Sequence, residues 1–477
     1  MDLSTARGRR RLRTAALSFE AIRAELGVRQ GFPAAVLADA QDSVDRGPQG
    51  ARTRLDLPFV TIDPAESLDL DQALHIERSA DGFLVHYAIA DVAAFVRPGG
   101  PMDNESWRRG VTLYSPDTRT PLYPQQLSEE GASLLPDKDR PALVWALTLD
   151  AAGNLTGVEF APKMVRSIAK LNYAQVQADM DNAAAHASIA ALAELGPILT
   201  DQARGRGAIE LPMPDQEVVQ AADGSWQLSF RAQLPVERWN AQISLLTGRA
   251  AAQMMLDAGV GLLRTLPAAD QQAVEQLRRV AASLTINWPP DASPGEVLST
   301  VDGSRPQEAA FVDEAAGLLR GSGYTAFDGS PPEHAEHAGV GAAYAHVTAP
   351  LRRLADRYAN EVCLAIQESR DVQAWARDRL PELPAAMTAG DRRDSELERA
   401  CLDSTEAAIL ADRRGEIFDG VVVEVDDRGN RDATVVLTDL AVRARCVGPG
   451  LVLGTTVRVR VTEADVASRT VRLTVAR

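Results

Sequence analysis

The stretch Thr61-Ile-Asp-Pro-Ala-Glu-Ser-Leu-Asp-Leu-Asp-Gln-Ala73 places three carboxylates, Asp63, Asp69 and Asp71, in one short segment directly after the apolar pair Phe59-Val60. Carboxylates this close in sequence repel one another unless a cation holds them. Hard oxygen ligands select Mg²⁺, with Mn²⁺ as a second candidate, and Mg²⁺ held by a few carboxylates completes its shell with water and substrate phosphate. Phosphate chemistry is therefore the first functional expectation. The alternative reading of such a run is a solvated acidic loop with Asx turns.

A second segment far downstream, Gly341-Ala-Ala-Tyr-Ala-His-Val-Thr-Ala-Pro-Leu-Arg-Arg-Leu-Ala-Asp356, carries paired arginines after Pro350. A guanidinium is always charged and presents a planar fork of donors matched to phosphate oxygens, so Arg352 suits the stabilisation of charge on a phosphate. Both arginines could instead begin a helix and pair with Asp356 or Glu361.

Together these segments resemble the ribonuclease II and ribonuclease R family. Its catalytic RNB domain opens on Thr-Ile-Asp followed by a cluster of aspartates and later carries Tyr-Thr-x-x-Thr-Ser-Pro-Ile-Arg-Arg-Tyr-x-Asp. Tyr344, Thr348, Pro350, Arg352, Arg353 and Asp356 match, whereas Ala349 and Leu354 stand where the family has Ser and Tyr. Gln72 replaces a fourth aspartate. Its carbonyl oxygen can still coordinate Mg²⁺, but the site loses one negative charge. Other blocks follow in the family's order: Val85-His-Tyr-Ala-Ile-Ala-Asp-Val92, Gly110-Val-Thr-Leu-Tyr-Ser-Pro116, Pro121-Leu-Tyr-Pro-Gln-Gln-Leu-Ser128 and Arg206-Gly-Ala-Ile-Glu-Leu211.

The resemblance implies roles residue by residue. Asp63, Asp69, Asp71 and Gln72 stand at the metal positions, Asp71 takes the most direct part in catalysis, and Arg352 is the catalytic arginine. Tyr114 would stack on bases near the RNA 3′ end, with Arg353 as a further RNA contact. Glu398, with Glu396 as the rival register in Ser395–Ser404, is the glutamate near the scissile phosphate, although a solvated helical charge run explains that stretch equally well. In the helix from Trp239 to Ala252, Asn240 and Gln242 are polar where the family places carboxylates.

The 477 residues, 45% of them hydrophobic, suffice for several domains and a large core. A net charge of −16 argues against nonspecific coating of nucleic acid but not against a local basic channel. No run is long and apolar enough to span a membrane, and the basic start Arg7-Gly-Arg-Arg-Arg-Leu-Arg13 lacks the apolar core of a secretory signal, so a cytoplasmic protein is expected. Cys363, Cys401 and Cys446 are scattered, without disulfide or metal spacing. His334 and His337 read as loop residues beside Pro331-Pro332 and Gly339.

Three units are expected. Residues 1–56 form a small basic helical module, with Ser18–Leu26 and Ala34–Ala40 as a candidate helix-turn-helix, too short for the two cold-shock barrels that usually precede the family's catalytic domain. Residues 57–411 form a mixed α/β (α+β) RNB catalytic domain, with an alanine-rich helix over Ala174–Leu195 and loop connections at Ile286–Pro306 and Pro381–Gly390. Residues 415–477 hold five short β-branched runs that predict a C-terminal OB-fold barrel, with Phe418 in its core and Arg443, Arg445, Arg458 and Arg460 tracking phosphates.

The resulting expectation is a 3′-to-5′ exoribonuclease that releases nucleoside 5′-monophosphates from RNA with a free single-stranded 3′ end. It would act as a monomer with no obligate protein partner. The alternative is a catalytically weak RNA-binding or regulatory protein retaining the fold, motivated by Gln72, Ala349, Leu354 and Gln242. A hydrolase of small phosphoesters is a further alternative, for which the terminal barrel has no evident use.

Overall fold

A computed structural model describes residues 17–222, 224–303, 305–426 and 431–476. The basic run Arg7–Arg13 lies outside the described residues. The central feature is a strongly curved sheet built from β1 (Thr53–Arg54), β2 (Phe59–Ile62), β3 (Gln72–Arg78), β4 (Gly82–Ala90), β7 (Asp139–Asp150) and β8 (Leu155–Leu171), with a separate hairpin of β5 (Leu113–Ser115) and β6 (Thr118–Thr120). β2, β3, β4 and β7 follow one another as antiparallel neighbours. The long β8 pairs antiparallel with β7 and then, through Ser167–Leu171, parallel with β2, so one strand joins both ends of the run. Phe59, Val60, Phe83, Val85, Trp145 and Leu147 are buried on strands covered on both faces, which is why these segments read as nearly continuous apolar runs.

This closure positions chemistry. β2 ends at Ile62 and β3 begins at Gln72, so residues 63–71 form the connection between two central antiparallel strands, at the rim of the sheet. Backbone pairing fixes both ends of that connection: Asp63 N–H donates to Leu171 O (3.1 Å), and Ala90 N–H donates to Asp71 O (2.9 Å).

Helices pack around the sheet. Pro235–Ala258 lies against Leu192–Gly205 and against Leu354–Gln367, and the long helix Leu383–Leu410 reaches from the catalytic body to the terminal barrel. Two expectations are corrected here. Ala174–Leu195 is not one helix: Tyr173–Asp181 ends at Asn182, Ala183 adopts φ 54°, and Leu192–Gly205 begins afresh. Pro381–Gly390 is helical instead of loop, because Pro384 sits at the start of the long helix, where a missing N–H costs nothing. The Ile286–Pro306 connection contains one short helix, Pro294–Leu298, closed by a Ser293/Glu296 capping box.

The first two helices, Phe19–Glu25 and Ala34–Arg46, form where expected but share no core of their own, as a helix-turn-helix unit would. Phe19 and Ile22 join the main core, with Phe19 edge-on to Trp226 at 5.0 Å, whereas Val36 and Ala40 enter a second cluster with Phe59, Leu70 and Met102. Arg23 makes a two-pronged pair with Asp117 (2.5 and 2.9 Å). The helix-turn-helix expectation is therefore corrected: these helices brace the catalytic body.

The C-terminal strands Ile417–Val425, Asp432–Leu437, Val442–Val447, Thr456–Asp465 and Thr470–Val475 close into a five-stranded barrel. Leu410, at the end of the long helix, is buried in the barrel core. Phe418 is half-buried at its margin beneath the Arg413 guanidinium (4.8 Å), not in the core centre. Among the described residues, no helix is long and apolar enough to cross a membrane.

Candidate active site

The β2–β3 connection brings Asp63, Asp69 and Asp71 to one place, and each carboxylate is held differently. Asp71 is 4% exposed: its Oδ1 accepts the Leu351 N–H at 2.7 Å, and its Oδ2 lies 3.6 Å from Arg352 Nε. Burial pushes its pKa well above the ordinary carboxylate range, opposed by the Arg352 charge and the Leu351 hydrogen bond. Asp63 is pushed up to about 7 by burial, with Arg352 opposing and the Asp69 charge adding to the rise. Its Oδ2 is buried without a partner. Asp69 is paired with Arg119, whose other prong reaches Glu129 Oε1 (2.5 Å). The connection itself is clamped by Lys170 Nζ, which donates to the carbonyls of Ala65 (2.6 Å) and Ser67 (2.5 Å).

Gln72 does something else. Its Nε2 donates to the Thr348 carbonyl, tying the start of β3 to the segment that carries the arginines. The side chain expected among the metal positions thus serves as a strut between the two motifs.

The two adjacent arginines separate. Arg353 forms a bidentate pair with Asp356 (both contacts 2.9 Å), and Asp356, fully buried, also accepts the Ala349 N–H (2.7 Å). Arg353 is therefore committed to holding the turn before the helix Leu354–Gln367, and its expected RNA contact is corrected to an internal ion pair. Arg352 keeps a side chain 46% exposed and faces Asp71. Its backbone is fixed from both sides, N–H to Ala349 O (3.2 Å) and C=O from Thr112 N–H (2.9 Å). Neither arginine lies inside the helix, which begins at Leu354.

Tyr114 is 48% exposed on β5, directly opposite Arg119 on β6. The charges of Arg352, Asp69, Asp71 and Arg119 all act on its phenol, so its ring stands beside the carboxylates. The long helix contributes Asp394, held up to about 6 by burial and by the charges of Glu398 and Asp391, and the Tyr114 backbone hydrogen-bonds to its carboxylate. Glu398 is exposed farther along the helix, in a groove with Gln216, Asp403, Glu406 and Arg443. Glu396 points to solvent near Arg392 (3.8 Å). The helical acid placed at the Tyr114 hairpin is therefore Asp394, which sequence reasoning passed over in favour of Glu398.

Arg119 and Lys170 were also missed. A signal for Arg119 existed: Ser115-Pro116-Asp117-Thr118 is turn chemistry, and a hairpin through it puts residue 119 across from residue 114. Lys170 carried no such signal, because its acceptors are main-chain carbonyls about a hundred residues earlier.

Of the barrel arginines, Arg443 is engaged internally. It binds Asp313 (2.5 and 3.0 Å), and its N–H donates to Glu406 Oε1 (2.8 Å), so its expected RNA role is corrected to fastening the barrel to the helix Pro306–Ala315. Arg445 is half-exposed with looser acidic neighbours, Asp432 at 3.4 Å and Asp426 at 3.8 Å. Arg460 donates to Gly415 O (2.7 Å), and Arg458 is exposed.

Among the described residues, no group of three His, Cys, Asp or Glu side chains is gathered tightly enough to ligate a metal as it stands. The donor set nevertheless fits a hard cation. Asp63 has an orphaned buried oxygen, Asp71 is buried, and the Asp69 charge bears on both. Arg119 supplies part of the missing positive charge.

Paired acids, a half-exposed guanidinium and an exposed tyrosine at a sheet rim, with an S1/OB-type barrel behind, define a protein of the RNB type. The model of the RNB domain matches residues 53–366, and that of the RNase II-type exonuclease C-terminal S1 domain matches residues 416–476. The chain belongs to the RNB-domain family. It is 28% identical over 421 residues to Ribonuclease R of Escherichia coli, covering 82% of this chain and 51% of that protein. It is similar to the exosome complex exonuclease RRP44 homolog A of Arabidopsis thaliana, with 26% identity over 73% of this chain and 39% of that protein. The chain thus spans about half the length of the Ribonuclease R proteins it matches, or less in the exosome relative. The fold is shared with Mycoplasma genitalium RNase R in complex with ribose methylated single-stranded RNA (TM-score 0.85, 19% identity, 96% of this chain and 77% of that one). It is also shared with yeast Ssd1, a pseudonuclease (TM-score 0.67, 14% identity, 88% of this chain and 51% of that one).

Proposed function

We propose that this protein is a 3′-to-5′ exoribonuclease that hydrolyses RNA from a free single-stranded 3′ end and releases nucleoside 5′-monophosphates. The observation carrying this reading is the junction of Asp71 with Leu351 N–H and Arg352 Nε, which joins residues 280 apart in sequence into one charge-complementary site. Family membership adds the reaction class.

In this reading Asp63, Asp69 and Asp71 hold divalent metal, Mg²⁺ by preference for hard oxygen donors, with Gln72 behind them as the strut to Thr348. When bound there, such a cation would supply Lewis-acid stabilisation of charge in phosphodiester hydrolysis. Arg352, fixed through its backbone and open through its side chain, meets the negative charge that grows on the scissile phosphate. Tyr114 offers an exposed aromatic face for the terminal base, which suits any sequence. Arg445 provides a cation on the barrel surface for the incoming strand. Asp394, at the Tyr114 backbone, takes over the supporting part near the scissile phosphate that was expected of Glu398.

The test uses 5′-labelled single-stranded RNA with Mg²⁺, resolved at single-nucleotide steps. A ladder shortening from the 3′ end, abolished by chelator and lowered at least about a thousandfold in Asp71→Asn while RNA binding persists, is the expected result. Near-normal turnover by Asp71→Asn sinks the assignment. The second reading, an RNA-binding protein with a silenced site, draws on the Arg119–Asp69 pair and the engaged Gln72 amide. Tight RNA binding without shortening in Mg²⁺ or Mn²⁺ moves that reading to the front.

A further inference from the structure

Four arginines converge behind the hairpin that carries Tyr114. Arg29, Arg108, Arg109 and Arg393 line one cavity of about 100 Å³, and no acidic side chain lines it. Arg29 comes from the segment between the first two helices, Arg108 and Arg109 from the last turn of the helix Pro101–Arg109, and Arg393 from the long helix Leu383–Leu410. Three of them share one buried carboxylate: Glu105 lies 3.1 Å from Arg109, 3.4 Å from Arg108 and 3.9 Å from Arg29. Arg393 is tied to the same place, donating to the carbonyls of Arg108 (3.2 Å) and Arg109 (2.7 Å), and among the described residues it makes no ion pair. Burial lowers the pKa of Arg393, and the charges of Arg392 and Arg29 lower it further. Burial also lowers that of Arg109, where Glu105 opposes and the Arg29 charge adds.

The donors are not used up. Arg109 is spent on Glu105, Pro121 O (3.0 Å) and Gly31 O, so it is part of the wall. Among the described residues the Arg29 side chain makes no hydrogen bond, Arg108 makes a single long one to Glu105 (3.4 Å), and Arg393 uses one terminal nitrogen. Three forks therefore keep free N–H groups. A helix C-terminus by itself repels an anion, but here Arg393 covers the last carbonyls. Leu113 and Thr120, a cross-strand pair of the hairpin, form part of the same wall, and Tyr114 and Arg119 are the next pair along. Side chains alternate along a strand, so the cavity and the tyrosine lie on opposite faces of one hairpin. Val111, also in the wall, bridges to Arg353, and Thr112 N–H donates to Arg352 O (2.9 Å). An anion held in the cavity would brace from behind the segment that carries Tyr114 and supports Arg352.

Clustered cations repel unless an anion offsets them, and guanidinium forks are matched to phosphate oxygens. We propose that Arg29, Arg108 and Arg393 form a phosphate-binding site behind the Tyr114 hairpin, separate from Arg352. The cavity has room for one phosphoryl group and a few waters. Two sources share this chemistry: a backbone phosphate of bound RNA and free inorganic phosphate. Only the first source rests on the RNA-processing reading.

The full chain in chelator is melted in inorganic phosphate and in chloride at equal ionic strength. General exclusion of phosphate from protein surfaces stabilises every variant alike, so the readout is the difference between proteins. The wild type is expected to gain about 1–3 °C more in phosphate than the double variant Arg29→Gln with Arg108→Gln. Both side chains are exposed, so the double variant should fold as the wild type does. Arg29→Gln alone, which removes no hydrogen bond, serves as the second variant and should lose part of the gain. Arg352→Ala should keep all of it. Equal gains in the wild type and the double variant, or loss of the gain in Arg352→Ala, overturn the proposal.

Titration of the same proteins with an RNA oligomer in chelator identifies the source. A fall of about one in the slope of log affinity against log salt in the double variant assigns the site to an RNA backbone phosphate. An unchanged slope, with the phosphate gain present in the wild type and lost in the double variant, assigns it to free phosphate. A phosphate gain in a protein that does not shorten RNA in Mg²⁺ would keep the site and remove the nuclease reading, so the two fail separately.

Discussion

Arg352 and Arg353 are neighbours in the chain with opposite fates, and the difference lies in what surrounds each. Arg353 meets a fully buried Asp356 with ideal bidentate geometry, so Arg353→Met strands that carboxylate away from water. It should cost about 3–5 kcal/mol of stability, read by chemical denaturation, whereas Arg352→Met should leave stability within about 1 kcal/mol and lower turnover. Equal stability losses in both variants would contradict the division. The Gln72 amide ties β3 to Thr348, so Gln72→Ala should cost about 1–2 kcal/mol and lower the cleavage rate through a loosened Arg352 turn. Unchanged stability and rate would show the strut to be dispensable.

At the scale of elements, the helix Leu383–Leu410 is the beam between the catalytic body and the barrel, and Glu406 is its joint. This carboxyl is 5% exposed and accepts from Arg443 N–H (2.8 Å) and Gln216 Nε2 (3.0 Å). Burial holds its pKa up to about 7, above the ordinary glutamate value of 4.5. In the unfolded chain it loses its proton at lower pH than in the folded one, so its contribution to stability is full below about pH 4.5 and is lost as pH rises through 7. Glu406→Gln should flatten the fall in melting temperature between pH 5 and about pH 8 and raise stability at the alkaline end. A variant that follows the wild-type curve would remove Glu406 as the cause. The Ala174–Leu195 stretch shows why composition misled at this scale. Alanine favours helix everywhere along it, but the turn at Asn182-Ala183 is needed for Leu192–Gly205 to pack on Pro235–Ala258.

For the whole molecule, a net charge of −16 means that RNA affinity must come from local cations, and the fold decides which remain free. Arg445→Ala should weaken RNA binding at low salt and reduce the slope of log affinity against log salt by about one. Arg443→Ala should leave that slope alone and loosen the barrel from the helix Pro306–Ala315, read as faster hydrogen exchange across the junction. Equal changes of slope in both variants would mean that the Asp313 pair opens on RNA.

The sequence by itself determined the family, the mixed α/β body with its terminal barrel, and the two motifs that meet at Asp71, because these depend on local patterning and on several motifs that recur in one order along the chain. The five barrel strands were legible for the same reason: period-two β-branched runs specify strands wherever they occur. Only the tertiary structure decided which polar and charged side chains are spent internally. Arg353, Arg443 and Gln72 are bound by Asp356, Asp313 and Thr348, and Arg119, Lys170 and Asp394 reach the site from separate strands and helices. A charge carries no mark in the sequence of the partner it will meet. That partner is set by which elements the core brings together, often more than a hundred residues apart.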